Sequence, residues 1–143
     1  MAVADVMNLR LVSVGPDETA QVAVARMLES GVGSVLVCES NHLLGIFTER
    51  DVLRLAGEST DLREVRVRDV MTTQVLSLGP EDDILAAARL MGEKRIRHLP
   101  IVQDGNILGV VGIRDVMRSL VERIWRAHDD DARATAKELL RRG

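Results

Sequence analysis

A hydroxyl and a carboxylate three residues apart are the side chains of this chain best suited to bind a ligand. Thr48 ends an apolar run and Asp51 opens a helical pattern, so the threonine is a candidate helix N-cap. Unpaired N–H groups and the helix dipole favour an anion at such an end. The pair could hold the hydroxyls of a ribose and place a phosphate beside the helix. The same spacing also forms a capping box, which starts a helix and needs no ligand.

The chain contains an internal duplication. A shift of 64 positions, which carries residue 5 to residue 69, aligns the sequence with itself without a gap. Because chance would not place so many matches in one register, the shift indicates two copies of one unit. The matching segments are residues 5–7 with 69–71, 15–16 with 79–80, 44–45 with 108–109 and 50–52 with 114–116, and Met27 matches Met91.

Each copy is predicted to fold as β-α-β-β-α. A short extended stretch ends at Gly-Pro, an amphipathic helix follows, and two β-rich runs lead into a second helix. The extended stretches are Leu11 to Val14 and Val75 to Leu78. Since one copy buries too little surface to be stable alone, we expect an α/β (α+β) fold in which the two copies pack sheet to sheet about a pseudo-twofold axis. Two clefts would then lie between them.

The predicted domains are residues 1–60, residues 61–125 and a helical tail of residues 126–143. An apolar stripe runs along the last helix, and a weaker one continues it into the tail. The stripe either packs within the chain or forms a subunit interface, and the second alternative predicts a homodimer. Its members are Val116, Met117, Leu120, Val121, Ile124 and Trp125, followed after His128–Asp131 by Ala132, Ala136, Leu139 and Leu140.

Composition excludes several classes of protein. The net charge of −3 gives no general attraction to nucleic acid, and Phe47 and Trp125 as the two aromatic residues cannot form a base-stacking platform. The absence of a long apolar run argues against a membrane span, and the start lacks the pattern of a signal peptide. One cysteine, Cys38, fits a reducing compartment, so we expect a cytoplasmic protein. The cysteine and the three histidines have no zinc-site spacing, and no catalytic motif occurs.

The tandem β-α-β-β-α units, the Asp-Val-Met openings, Arg97-His98-Leu99-Pro100 and the segment Gly45–Asp51 together resemble the cystathionine-β-synthase (CBS) domain family. The resemblance covers residues 2 to 120. It implies a tandem pair, or Bateman module, that senses an adenosyl compound such as AMP, ADP, ATP or S-adenosylmethionine, and in many members such modules pair into a flat dimer. It also implies that Gly45, Thr48 and Asp51 hold the ribose.

The second copy departs from this pattern because Gly112 stands where Thr48 stands in the first copy. The resemblance still makes Asp115 a candidate, although its corner lacks the hydroxyl. Related modules take phosphate contacts from the other copy, which implies that Arg97, His98 and Arg114 meet the phosphates, and arginine suits this through its planar fork. For Arg97 and His98 a structural role is the alternative, and Lys94 and Arg95 are better explained as complements of a helix C-terminus.

The sequence therefore predicts a stand-alone regulatory module that binds an adenosyl nucleotide and signals through a change of shape or of affinity for a separate effector protein. It predicts no catalytic residues, no metal site and no catalytic cofactor. The alternative is a structural adaptor that dimerises and docks a partner without a ligand. The intact pair of Thr48 and Asp51 favours the sensor, and Gly112 favours the adaptor for the second cleft.

Overall fold

The computed structural model describes residues 1–142. The first copy shows the predicted order β-α-β-β-α, and the second shows it without the first strand. A 3₁₀ turn, Val3–Asp5, opens the chain. The strands are β1 (Ser13–Val14), β2 (Ser34–Glu39), β3 (His42–Thr48), β4 (His98–Gln103) and β5 (Asn106–Gly112). The helices are α1 (Ala20–Ser30), α2 (Glu49–Gly57), α3 (Val67–Val70), α4 (Ile84–Lys94) and α5 (Ile113–Arg142).

The strands form one sheet in the order β1-β2-β3-β5-β4. Each copy contributes an antiparallel hairpin with a two-residue turn whose residues have positive φ, Ser40-Asn41 in the first and Asp104-Gly105 in the second. The hairpins join edge to edge through the single pair His42 and Asn106. The two copies therefore meet where their central strands begin.

The predicted strand at Val75–Leu78 is wrong, because the structure has only an isolated bridge there, between Leu78 and Ile101. In the first copy the N–H of Leu36 donates to the carbonyl of Val12 at 3.0 Å and helps to fix β1. The residue 64 positions after Leu36 is Pro100, which has no N–H to donate. The second copy consequently loses one bond of the parallel ladder.

Each copy completes its core with the opening segment of the other. Val3 packs among the buried residues of the second copy, whereas Val67 packs among those of the first, and both are fully buried. The N–H of Val3 donates to the backbone carbonyl of Asp82, and the N–H of Val67 donates to that of Glu18, both at 2.8 Å. The pseudo-twofold arrangement therefore rests on an exchange of short segments between the copies.

Two glycines let these segments approach the sheet. A Cβ on Gly45 would lie 2.8 Å from the carbonyl oxygen of Thr72, and one on Gly109 would lie 2.9 Å from that of Asn8. Thr72 forms a β-bridge with Ile46, and Asn8 forms the equivalent bridge with Val110. Gly45, which the resemblance assigns to the ligand, is buried and allows close packing of the backbone at this point.

We expect Gly45→Ala to lower the free energy of unfolding by about 1–3 kcal/mol, because the added methyl group overpacks a contact with backbone. The matched control is Gly57→Ala. Gly57 ends helix α2 and a Cβ there would meet nothing within 4 Å, so this change should leave stability unchanged or slightly raised. Urea unfolding of both variants checks the prediction, and equal midpoints would contradict it.

Helix α5 extends well past the sheet. Val116 is buried, but Met117, Ile124 and Trp125 are exposed, so only the first part of the predicted stripe packs within the chain. Across residues 1–142, no helix combines the length and apolar character that crossing a lipid bilayer requires.

Candidate functional site

The predicted capping box is present at the start of helix α2. Thr48 is the N-cap, and its hydroxyl oxygen accepts a bond from the N–H of Asp51 at 3.4 Å. The carboxylate of Asp51 in turn accepts from the N–H of Thr48 at 2.9 Å and from its hydroxyl at 3.2 Å. Both residues therefore cap the helix whether or not a ligand is bound.

The carboxylate of Asp51 also ties the two copies together. The hydroxyl of Thr72, which lies in the opening segment of the second copy, donates to Asp51 Oδ1 at 3.3 Å. Arg54 pairs with the same oxygen at 3.4 Å, while its guanidinium also donates to the carbonyl of Val70 at 2.9 Å. We call Thr48, Asp51, Arg54 and Thr72 the first corner. It surrounds a carboxylate whose side chain is only 10% exposed.

Two members of the first corner, Arg54 and Thr72, were not predicted. Arg54 follows Asp51 by three residues, as Arg118 follows Asp115, so the duplication carries a signal for it. Thr72 directly follows the repeated Asp-Val-Met element. Its contact with Asp51 depends on the exchange of segments between the copies, and the sequence contains no pattern from which that exchange follows.

The equivalent second corner, made by Gly112, Asp115 and Arg118, is less complete. The carboxylate of Asp115 is 36% exposed and pairs with Arg118 at 3.4 Å. Gly112 supplies no hydroxyl, and the counterpart of Thr72 is Asn8, whose side-chain oxygen accepts from the N–H of Arg10. Asp115 thus lacks both hydroxyl donors that Asp51 has.

His98 lies beside the second corner. A Cβ built on Gly112 would be 3.8 Å from its Cδ2 and 3.5 Å from Asp115 Oδ2, so the ring sits beside the second corner. Partial burial lowers the pKa of His98, and the charge of Arg97 acts in the same direction, whereas Glu49 and Asp115 raise it. Glu49 is the first residue of α2, so its charge is the one from the first copy that acts on the ring.

The two predicted arginines, Arg97 and Arg114, are exposed. In the part of the chain that the structure describes, neither guanidinium makes a hydrogen bond or an ion pair. A third arginine, Arg50, donates to the carbonyl of Arg95 at 3.4 Å and bridges α2 to the end of α4. Arg97 and Arg114 are therefore the two predicted cations that remain available to a polyanionic ligand.

The lowered pKa of His98 predicts a loss of stability in acid. Above its ordinary pKa of 6.5 the ring is neutral in both states. As the pH falls below that value the unfolded chain takes up the proton first, so the native state loses stability. We expect urea unfolding between pH 7 and pH 5 to show a smaller loss for His98→Asn than for the unmodified chain. His42→Asn is the control. A loss of stability in His98→Asn identical to that in the unmodified chain would contradict this role.

The first corner offers acceptors for hydroxyl groups and a helix N-terminus that favours a phosphate. Among residues 1–142, no group of three histidine, cysteine or carboxylate side chains is placed to hold a metal ion. The arrangement therefore suits recognition of a polar ligand.

Comparison with known proteins agrees with this architecture. The family model described as the CBS domain matches the chain twice, over residues 3–58 and 67–122. The mitochondrial CBS domain-containing protein CBSX3 of Arabidopsis thaliana is 37% identical over 111 residues, which cover 73% of this chain and 54% of that protein. The CBS domain-containing protein YhcV of Bacillus subtilis is 34% identical over 116 residues, covering 80% and 82%. The chain thus spans about half of the first relative and most of the second.

Solved structures lead to the same family. The crystal structure of CBSX2 in complex with AMP superposes with a TM-score of 0.75 and 29% identity, covering 85% of this chain and 96% of that one. The two family matches coincide with the two copies found by the 64-residue shift and confirm the resemblance read from the motifs. The chain belongs to the CBS domain family and carries two CBS domains in tandem.

Proposed function

We propose that this CBS pair is a regulatory module that binds an adenine nucleotide at the first corner. The observation that carries the proposal is the carboxylate of Asp51, which is held at a helix N-terminus by hydroxyls from both copies. A ribose presents hydroxyls of the same kind. The AMP in the related CBSX2 structure supports an adenine nucleotide as the ligand class.

Binding at this corner would compete with a bond inside the protein. The lone pairs of Asp51 already accept from Thr48, Thr72 and Arg54. Thr72 is exposed and its hydroxyl is neutral, so a ribose hydroxyl can replace it at less cost than the charged guanidinium of Arg54. Because Thr72 belongs to the segment that connects the copies, the ligand would loosen that segment. This gives the module a means to report occupancy to a separate effector protein.

The phosphate end would extend toward the unpaired cations. Arg97 and Arg114 are exposed and unpaired in the described chain, and the charge of Glu49, at the start of α2, acts on the pKa of His98. Guanidinium groups bind phosphate with two parallel hydrogen bonds. We therefore assign Arg97, His98 and Arg114 to the phosphates and Gly45 to the packing beneath the ribose site.

The second corner is proposed to bind more weakly. Asp115 is accessible, but neither Gly112 nor Asn8 supplies the hydroxyl that its counterpart supplies in the first corner. We therefore propose one principal nucleotide site per chain, in a cytoplasmic protein whose ligand is AMP, ADP, ATP or S-adenosylmethionine.

A screen of thermal stability tests the proposal. A ligand at about 100 times its dissociation constant stabilises the folded state by about 2.7 kcal/mol, which raises the melting temperature of a chain of this size by roughly 5–11 °C. We expect such a rise with at least one of the four compounds. No rise with any of them at millimolar concentration would reject the sensor.

That outcome would favour a ligand-free adaptor, the second candidate function. Leu53 and Met117 occupy equivalent positions in the two copies, and both are exposed. Paired apolar side chains of this kind could dock a partner without a nucleotide.

A further inference from the structure

The C-terminal end of helix α5, residues 124–142, extends away from the rest of the chain, and we call it the arm. The helix runs for 30 residues, from Ile113 to Arg142. Arg123 still reaches the rest of the chain through an ion pair with Asp83 at 3.8 Å. From Val121 to Arg141 every residue is exposed. Most helices in proteins owe their stability to packing of an apolar face. We therefore expect the apolar face of the arm to pack against another surface.

Six apolar side chains of this arm, together with the ring of His128 that separates the two apolar runs, form a stripe that is symmetric about Ala132. Its seven members fall on one side of the helix at helical spacing. The steps between neighbours are 1, 3, 4, 4, 3 and 1 residues, so the stripe has the same spacing from either end. The members are Ile124, Trp125, His128, Ala132, Ala136, Leu139 and Leu140.

Such a stripe is complementary to itself when a second copy runs antiparallel. Ala132 would then face Ala132 of the second copy, and Trp125 would face its Leu139. Alanine at the centre allows the two helices to approach closely. Trp125 and His128 already meet edge to face, with ring centres 6.4 Å apart, and with Ile124 they line a shallow hollow. Leu139 of the second copy is at the right height to fill it.

Charge favours the antiparallel direction over the parallel one. Asp129, Asp130 and Asp131 form an acidic run beside the stripe. A parallel second copy would set this run level with its own three carboxylates, whereas an antiparallel copy brings its Arg133 to the flank of the helix that carries Asp129, within two residues of the same height. Like charges brought together at an interface oppose association. The spacing of the stripe therefore favours a register centred on Ala132, and the charges favour the antiparallel direction.

We propose that two copies of this protein associate through their C-terminal arms as an antiparallel helix pair centred on Ala132. This association goes beyond the nucleotide site and does not depend on it, since the arm lies outside both corners. The contact would hold two CBS pairs at opposite ends of the helix pair.

Cysteine cross-linking of the full chain tests the register. In a Cys38→Ser background, Ala132→Cys should give a disulfide-linked dimer under mild oxidation, because only a residue on the axis meets its own counterpart within the 4.4–6.8 Å that a disulfide spans between Cα atoms. Trp125→Cys and Leu139→Cys should each cross-link poorly alone but should join each other when the two proteins are mixed. Efficient cross-linking of all three single variants would indicate a parallel pair and overturn the proposal.

Light scattering at tens of micromolar, without nucleotide, supplies the second readout. The unmodified chain should have twice the mass of the 15.7 kDa monomer. Ala132→Glu should reduce it to the monomer by placing two charges on the axis, whereas Ala134→Glu, on the opposite side of the helix, should not. A monomeric unmodified chain, or a dimer that survives Ala132→Glu, would overturn the proposal.

Discussion

Asp51→Ala should lower both the stability of the protein and its affinity for an adenine nucleotide. Loss of the cap costs roughly 1 kcal/mol, and each charge-assisted bond that the carboxylate accepts is worth about 1.5–3 kcal/mol. Because a ribose would use the same oxygens, the loss of one such bond should weaken binding at least tenfold. Urea unfolding measures the first effect and calorimetric titration the second.

The matched control is Asp115→Ala. Its side chain is 36% exposed and forms an ion pair with the exposed Arg118 at 3.4 Å, and a pair at the surface contributes about 0–1 kcal/mol. The change should therefore cost little stability and little nucleotide affinity. Asp51→Asn keeps the size of the side chain and separates loss of charge from loss of packing. If Asp115→Ala abolished binding while Asp51→Ala preserved it, the first corner would not be the site.

Thr72→Val should have opposite effects on stability and on binding. The hydroxyl of Thr72 bonds to Asp51 in the free protein at 3.3 Å. If a ribose hydroxyl takes the place of the Thr72 hydroxyl, the bond between Thr72 and Asp51 stabilises only the nucleotide-free protein. Valine should then lower the free energy of unfolding by about 1.5–3 kcal/mol and raise nucleotide affinity about tenfold or more. Titration calorimetry with the nucleotide that gives the largest thermal shift measures the second effect.

Thr73→Val is the control for this change, since Thr73 is the exposed neighbour and also carries a hydroxyl. It should alter neither quantity. A fall in nucleotide affinity for Thr72→Val would show that the hydroxyl contacts the ligand directly and does not compete with it. The proposed coupling between the ligand and the connecting segment would then be wrong.

The repeat and the capping box could be predicted because both are local. The 64-residue shift needs only the sequence, and the spacing of Thr48 and Asp51 sets the start of a helix whatever surrounds it. Local pattern also predicted a first strand in the second copy that the structure does not contain. The apolar run at Val75–Leu78 has strand character, but Pro100 on the neighbouring strand removes the N–H that would pair with it.

The contacts between the copies could not be predicted from local pattern. Val3 and Val67 each fill the core of the other copy, and Thr72 reaches Asp51 by the same exchange. His98 shows a case that could have been foreseen. Its pairing with Gly112 repeats the pairing of Ser34 with Thr48, so the repeat itself places the ring beside the second corner.

Calorimetric titration of the unmodified chain with AMP, alongside Asp51→Ala, tests the central claim most directly. If the first corner is the principal site, one nucleotide should bind per chain, and its affinity should fall at least tenfold in Asp51→Ala. Two equivalent sites per chain, or binding that is unchanged by Asp51→Ala in a folded protein, would contradict it.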